Sequence, residues 1–476
     1  MNMPLIDNWI NGQSKPAESA NYFDVLNPID DSVLARAADS DRSDVDAAVE
    51  SAAKAFQTYR QLGPSQREKL LISAAAELER RSDDFVTWLI EEVGSAITKA
   101  KREIETSVRI LRAAAGATRY LTGKTLPSDV AGRWSMSTRR PIGVVAGITP
   151  FNVPLIKTVK HCAMPLATGN TVVLLPSMHA PMVATQFASL LSDVGFPPGA
   201  LNIVTGNGHK IGDALTSHPK VKFVSFTGSC QVGETIRANC GRVGKRVLLE
   251  LGGKNAVVVM NDADIDRAVK ECAVASFLYQ GQICMSSSRL YVSQEVFEPF
   301  VEKFLNFASR LSMGDLRDPQ TVIGPIINQR QRDRIMLHLD DAVSKGARIL
   351  TGGNWTGNVL NPTVLADVCK GMHINDEETF GPVTSVHAIE SFDEAIAAVN
   401  DSSFGLSAGI FTRNLDQAME FADRVEAGMV HVNGSTLQEE PHVPFGGVKN
   451  SGDGRESTDA EIAQFTQWKW ITFNAS

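Results

Sequence analysis

Between Pro141 and Glu250 short apolar runs alternate with helical stretches, and this alternation constrains the fold more than any other feature of the chain. Ile142–Ile148, Thr171–Leu175, Leu201–Val204, Lys222–Phe226 and Arg246–Glu250 read as strands, with helices over Met182–Leu191 and Gln231–Cys240. Strands that are apolar throughout are covered on both faces, which means a parallel sheet between helical layers. The expected fold class is α/β, with a doubly wound domain of the kind that holds nucleotide cofactors at its strand ends.

A second α/β set follows Asn255–Met260, with strand-like runs at Arg289–Val292, Val383–Ile389 and Ala408–Phe411 and helices between them. Upstream, Ser43 and Asp46 suggest a helix cap ahead of Val45, Ala48, Val49, Ala52 and Phe56. A further helix reads from Pro64 to Arg81, and more helix from Asp83 towards Tyr120. Gln467–Phe473 is a strand with no helix after it. Detached from both sheets it would leave an open edge, so a partner is expected to cover it, the alternative being a plain edge strand on the second domain.

Acidic residues outnumber basic ones, 54 to 46, and the net charge is −8. No basic stripe stands ready for phosphates, so a nucleic-acid partner is not expected. No apolar run approaches bilayer length, and Asp7 and Asn8 lie where a leader would be basic and then apolar; the chain reads as cytoplasmic, with no membrane partner. Its six cysteines are too sparse for a disulfide framework, and no His or Cys spacing suits a metal.

Gly206-x-Gly208-x-x-x-Gly212 has one residue too many for the dinucleotide fingerprint. Phe226-Thr227-Gly228-Ser229-Cys230-Gln231-Val232-Gly233 leaves a strand and opens a helix, whose free N–H groups suit a pyrophosphate. Glu250-Leu251-Gly252-Gly253-Lys254 puts a carboxylate at a strand end beside two glycines. On physical grounds Cys284, in Gly281-Gln282-Ile283-Cys284, and Cys230, at a helix start, are equal candidates for a reactive thiol.

Family resemblance breaks that tie. Thr149-Pro150-Phe151-Asn152-x-Pro154, the Phe226–Ser229 and Glu250–Lys254 runs, Gly281–Cys284, Glu378-Thr379-Phe380-Gly381-Pro382 and Phe445-Gly446-Gly447-x-Lys449-x-Ser451-Gly452 resemble the aldehyde dehydrogenase superfamily, in that family's order and across nearly the whole chain. The resemblance implies that Cys284 attacks the aldehyde, that the Asn152 amide and the Cys284 N–H hold the oxyanion, and that Glu250 activates the water that hydrolyses the thioester. It implies cofactor contacts from Thr149, Pro150, Phe151, Ser177, Gly228, Ser229, Gly233, Leu251, Glu378 and Phe380. Lys254 and Lys449 are then structural, and Cys230 a bystander.

The family commonly has Lys-Pro-Ser-Glu where this chain has Leu175-Pro176-Ser177-Met178, so two ribose contacts are missing; NAD is the expected cofactor, with room for NADP. Gln280–Ser286 and Asn433-Gly434-Ser435-Thr436-x-Gln438-x-Glu440 look like the bacterial branch acting on salicylaldehyde, benzaldehyde and vanillin. By resemblance, residues 1–120 and 139–249 form the cofactor domain, 250–455 the catalytic domain, and 121–138 with 456–476 an oligomerisation element of a homodimer or homotetramer. The competing readings are an aliphatic or semialdehyde dehydrogenase, a coenzyme-A-acylating enzyme, which Glu250 argues against, a cofactor-free cysteine hydrolase or acyltransferase, and a silent binding protein.

Overall fold

The computed structural model describes residues 3–474. An eight-stranded sheet runs in the order Gly452–Asp453, Arg246–Glu250, Val221–Thr227, Val144–Ile148, Thr171–Leu175, Leu201–Ile203, Asn8–Ile10 and Gln13–Lys15. Its central five strands are parallel. Side chains along them alternate between two cores: Val145, Val172, Leu174 and Phe223 enter one, and Val144, Ala146, Val173, Leu175 and Val224 the other. Each valine, leucine or phenylalanine among them contributes about 1.5–3 kcal/mol on burial, so the apolar runs dictate a sheet with both faces covered.

Val144–Ile148 sits between the strand that follows it in sequence and the last but one, Val221–Thr227. The chain therefore leaves it in opposite directions, which opens a crevice at the carboxyl ends of these two strands, the place where such sheets bind ligands. Thr149–Asn152 and Gly228–Ser229 begin there.

The second sheet has seven strands, ordered Arg348–Thr351, Thr363–Ala366, Val383–Ile389, Ser287–Ser293, Asn255–Val259, Ser407–Phe411 and Met429–Val432, and is parallel except for the first. Only Leu251–Lys254 separates the strand ending at Glu250 from the one starting at Asn255, so this short link joins the two sheets.

Several expectations need correction. The helix Arg42–Tyr59 is capped by Asp41, not by Ser43 and Asp46: Asp41 Oδ1 accepts from Ser43 N at 2.7 Å, and Asp44 accepts from Asp41 N at 3.0 Å. The helical stretch towards Tyr120 is two helices, Ser82–Val93 and Ile97–Ala117, broken where Gly94 turns left-handed at φ +66°. The structure also contains strands ahead of the first helix, including Tyr22–Leu26 and Val33–Ala38, each interrupted by a charged residue, which the sequence reading missed. The last strand, Thr466–Asn474, is not an edge of the second sheet. It pairs antiparallel over nine residues with Arg133–Pro141, which also pairs Lys124–Leu126. This separate sheet exposes Trp134, Trp468, Trp470 and Phe473.

Candidate functional site

Asn152 is fixed from behind. The loop Thr149–Val153 leaves the strand at Ile148, with Thr149 N donating to Leu175 O at 3.1 Å, and enters the helix Pro154–Ala167. Lys99 Nζ donates to the Asn152 carbonyl at 2.8 Å and to Glu103 at 2.6 Å, while Glu103 Oε1 accepts the Leu155 N–H at 2.9 Å. That carboxylate meets the orphan donors of the helix start. Asn152 is buried, and its side-chain amide has no protein partner among the described residues.

The segment leading to Cys284 is held in an uncommon conformation. Tyr279, Gln280 and Gly281 have φ of 51°, 54° and 65°, three successive left-handed residues. Two of them carry a Cβ, so each costs energy that its surroundings must offset. Tyr279 Oη donates to Val93 O at 2.9 Å, its ring lies 4.0 Å from Lys99 Nζ, and Gln280 Nε2 donates to Pro325 O at 2.9 Å. Gly281 abuts the Gly381 carbonyl so closely that no side chain fits there. Lys99 thus touches both the Asn152 loop and the turn before the thiol.

Cys284 is half-buried, its carbonyl accepts from Asn255 Nδ2 at 2.7 Å, and its N–H has no protein acceptor among the described residues. Burial pushes the thiol up to about 12, with Glu378, Glu250 and Glu439 adding to the rise and Lys157 opposing it. Cys230 is also half-buried. Its helix start favours a thiolate, but burial prevails and pushes the thiol up to about 11, and Sγ donates to Asn450 O at 3.1 Å.

Glu250 ends its strand 2% exposed, with neither carboxylate oxygen hydrogen-bonded among the described residues. Gly446 makes room for it: a Cβ there would lie 2.6 Å from Oε1. Burial, reinforced by Glu456, raises its pKa well above the usual carboxylate range against the pull of Lys157, Lys160 and Arg455. An unpaired buried carboxyl of this kind is neutral at rest and avid for a proton once ionised.

The remaining positions line the crevice and its surroundings. Ser229 caps the helix Cys230–Arg242 with an unengaged, exposed side chain, and Leu251 fills the space left by Gly233, where a Cβ would come within 2.5 Å. Phe151 meets Phe380 edge-on at 5.9 Å, and Glu378 Oε1 accepts from Gly253 N at 3.1 Å. Pro150 is half-buried, Ser177 Oγ accepts from His179 N at 3.2 Å, and Gly228 N donates to the Glu250 carbonyl at 3.0 Å. The free N–H groups after Ser229 suit a pyrophosphate, and Glu378 suits a ribose hydroxyl, so this end of the crevice fits a dinucleotide. The other end offers no polar pair: Leu175 is packed in the core and Met178 is half-buried.

Lys254 Nζ donates to Ile374 O at 2.6 Å, and Lys449 Nζ to Asn400 O and Ser402 O at 3.0 and 3.1 Å, so both hold loops. The sequence reading missed Lys99, Asn255, Lys157, Lys160 and Glu456. Two signals were available: Asn255 directly follows the Glu250–Lys254 run, and Glu456 lies four residues beyond Gly452.

The two runs with an aryl-branch look meet in space. Thr436 Oγ1 donates to Met285 O at 2.8 Å and bonds Ser287 Oγ at 2.8 Å, and Leu437, Ile283 and Cys284 pack against Met285, Leu406 and Phe445. No helix of the described residues is long and apolar enough to cross a membrane, and no group of three or more His, Cys, Asp or Glu side chains among them is arranged to hold a metal.

Known proteins resemble this chain over its whole length. The model of the aldehyde dehydrogenase family matches residues 15–471. A vanillin dehydrogenase of Pseudomonas fluorescens is 39% identical over 475 residues, covering 99% of this chain and 98% of the relative. A benzaldehyde dehydrogenase [NAD(+)] of Pseudomonas putida is 36% identical over 467 residues, covering 98% and 94%. The crystal structure of a salicylaldehyde dehydrogenase from Pseudomonas putida G7, complexed with salicylaldehyde, superposes with a TM-score of 0.96 at 36% identity, covering 100% of this chain and 99% of that one.

Proposed function

This chain belongs to the aldehyde dehydrogenase family, and from that premise we propose that it oxidises an aromatic aldehyde to its carboxylic acid, with NAD as cofactor and NADP accepted. The observation that carries the mechanism is an unpartnered buried carboxyl, Glu250, whose charge bears on the Cys284 thiol, while the Asn152 side-chain amide and the Cys284 N–H have no protein partner among the described residues and are left for an oxyanion.

In this reading the Cys284 thiol gives up its proton to solvent and its sulfur adds to the aldehyde carbon as the carbonyl π pair moves onto oxygen, where the Asn152 amide and the Cys284 N–H stabilise the charge. Ser229 and the helix start behind it, with Thr149, Pro150, Phe151, Ser177, Gly228, Gly233, Leu251, Glu378 and Phe380, would hold the dinucleotide, which when bound supplies the hydride acceptor. Glu250, once ionised, takes a proton from the water that attacks the thioester; the acid leaves and Cys284 recovers its proton.

The aromatic preference is supported by the names of the relatives and by the apolar wall of Phe445, Met285, Ile283 and Leu437 beside the thiol. Apolar area that a flat ring covers there is worth about 25 cal/mol per Å². The test is a panel of aldehydes followed at the reduced-nicotinamide band with NAD and with NADP, without coenzyme A. Benzaldehyde-type substrates are expected to exceed acetaldehyde in kcat/KM; acetaldehyde or a short semialdehyde leading the panel, or a requirement for coenzyme A, overturns the reading.

The same reading makes residues 1–120 and 139–249 the cofactor domain, 250–455 the catalytic domain, and 121–138 with 456–476 the contact of a cytoplasmic homodimer or homotetramer. The exposed tryptophans of that sheet support the contact; a monomer in light scattering would overturn it.

A further inference from the structure

Beside the candidate nucleophile lies a buried ion cluster to which none of the steps above assigns a role. Lys157 and Lys160 stand one turn apart on the helix Pro154–Ala167, 4% and 8% exposed. Lys157 Nζ donates to both oxygens of Glu456 at 2.8 Å; Lys160 Nζ donates to Glu456 Oε2 at 2.6 Å and also pairs with Glu439. The two ammonium groups lie 5.0 and 4.5 Å from the centroid of the Phe445 ring. Phe445 belongs to the cluster against which Cys284 packs. Buried ions of this kind are rarely a gain in stability, since apolar residues of like volume serve as well. A methionine at 157 would cover Phe445 without the desolvation.

We propose that Lys157 is a positioning residue for Cys284, its buried ammonium favouring the thiolate beside Phe445 while Glu456 and Lys160 hold that ammonium in place. Among the groups acting on the thiol, Glu378, Glu250 and Glu439 disfavour its ionisation, and Lys157, the charge with the largest effect, favours it. Around Lys157, Glu456 is held ionised by both lysines, His161 is kept neutral by burial, down to about 3, and Glu461 is pushed up to about 8. The nearby charges are therefore two lysines against Glu456 and Glu439, and the second of these carboxylates is tied to Lys160. Lys157 sits on the first turns of the helix whose preceding loop carries Asn152, so one short segment supplies both an oxyanion donor and a cation for the thiol.

The inference rests on Cys284 as the nucleophile, but its test reads the thiol itself and does not depend on the substrate. The rate of alkylation of Cys284 by iodoacetamide, followed by peptide mass spectrometry on the full chain, is measured at about pH 9, below the thiol's own titration, for the wild type, Lys157→Met, Lys157→Arg and Lys160→Met. There the rate scales with the thiolate fraction. It is expected to fall about tenfold in Lys157→Met, the effect of about one pH unit on the thiol, and to return in Lys157→Arg, which restores the charge but not the shape. Lys160→Met, which also takes a cation from Glu456, is expected to stay near the wild-type rate. If Lys157→Met fails to fold, Lys157→Met/Glu456→Gln removes the stranded carboxylate and decides in its stead. An unchanged rate in Lys157→Met or the double variant, no recovery in Lys157→Arg, or an equal loss in Lys160→Met, overturns the proposal. Loss of activity on alkylating a residue other than Cys284 would instead overturn the assignment of the nucleophile.

Discussion

Lys99 places its ammonium 2.8 Å from the main-chain oxygen of Asn152 and 4.0 Å from the ring of Tyr279, which makes one buried cation the hinge pin between the oxyanion loop and the nucleophile turn. Glu103 neutralises it at 2.6 Å and caps the next helix with its other oxygen. Lys99→Met strands that carboxylate, and the loss is expected to be about 3–5 kcal/mol in urea unfolding. Lys99→Met/Glu103→Gln recovers part of the stability but not the turnover, because the Asn152 carbonyl still lacks its anchor. Full kcat in the double variant would show that the loop needs no such tie.

For the thiols, Cys284→Ala is expected to abolish oxidation while Cys230→Ser leaves most of it. The two were equal on residue chemistry alone, and the family resemblance chose Cys284; the structure separates them by surroundings, since the Cys230 thiol is engaged with Asn450 O whereas the Cys284 thiol feels the charge of Glu250. Alkylation with and without aldehyde, mapped by mass spectrometry, checks this: substrate protection of Cys230 in place of Cys284 reverses the assignment.

Glu250 is held neutral by burial, so its base form accumulates only as pH rises through its elevated value. Steady turnover limited by thioester hydrolysis is therefore expected to climb with pH as Glu250 ionises, at higher pH than an ordinary carboxylate would need. Glu250→Gln removes that climb. Stopped-flow should then give a burst of reduced cofactor near one equivalent per site, followed by a rate lower by about 10²-fold or more. Normal steady turnover in the variant would take Glu250 out of the mechanism.

The part of the site that could be read from the sequence is the part that makes local demands. Gly281 must be glycine because its left-handed turn abuts Gly381, and Glu250 stands out because a carboxylate ends an apolar strand. The parallel strands were legible for the same reason, since Val144–Ile148 and Thr171–Leu175 must bury both faces. Lys157 and Glu456 were not legible. A lysine on a helix reads as a solvated residue, and its partner lies 299 positions away, a distance that no spacing rule spans. The cap at Asp41 was missed by a shift of two residues, because Asp41, Ser43, Asp44 and Asp46 all have the right chemistry and only geometry selects among them. The terminal strand was grouped with residues 121–138 by resemblance alone, because its nine-residue pairing with Arg133–Pro141 joins residues that no local pattern links.

The last expectation concerns the adenosine end of the crevice. Glutamate at position 178 would accept hydrogen bonds from ribose hydroxyls and repel a 2′-phosphate; Met178 does neither, so the barrier to NADP is absent. Position 175 offers no compensating cation, because Leu175 ends its strand inside the apolar core, 2% exposed beside Val173, Val204 and Phe226. Each missing hydrogen bond is worth only about 0.5–1.5 kcal/mol, so the pyrophosphate and nicotinamide ends should carry binding. NAD is then expected to be preferred over NADP by no more than about tenfold to a hundredfold, a difference of about 1.4–2.8 kcal/mol. Met178→Glu should widen that gap by weakening NADP. Leu175→Lys has to bury an ammonium in the free protein, so its Tm should fall and should recover more with NADP than with NAD, since the phosphate neutralises the new charge. Titration of both cofactors at saturating aldehyde, with melting curves for each variant, tests the three statements together. Complete exclusion of NADP by the wild type would mean that some group other than residue 178 reads the ribose.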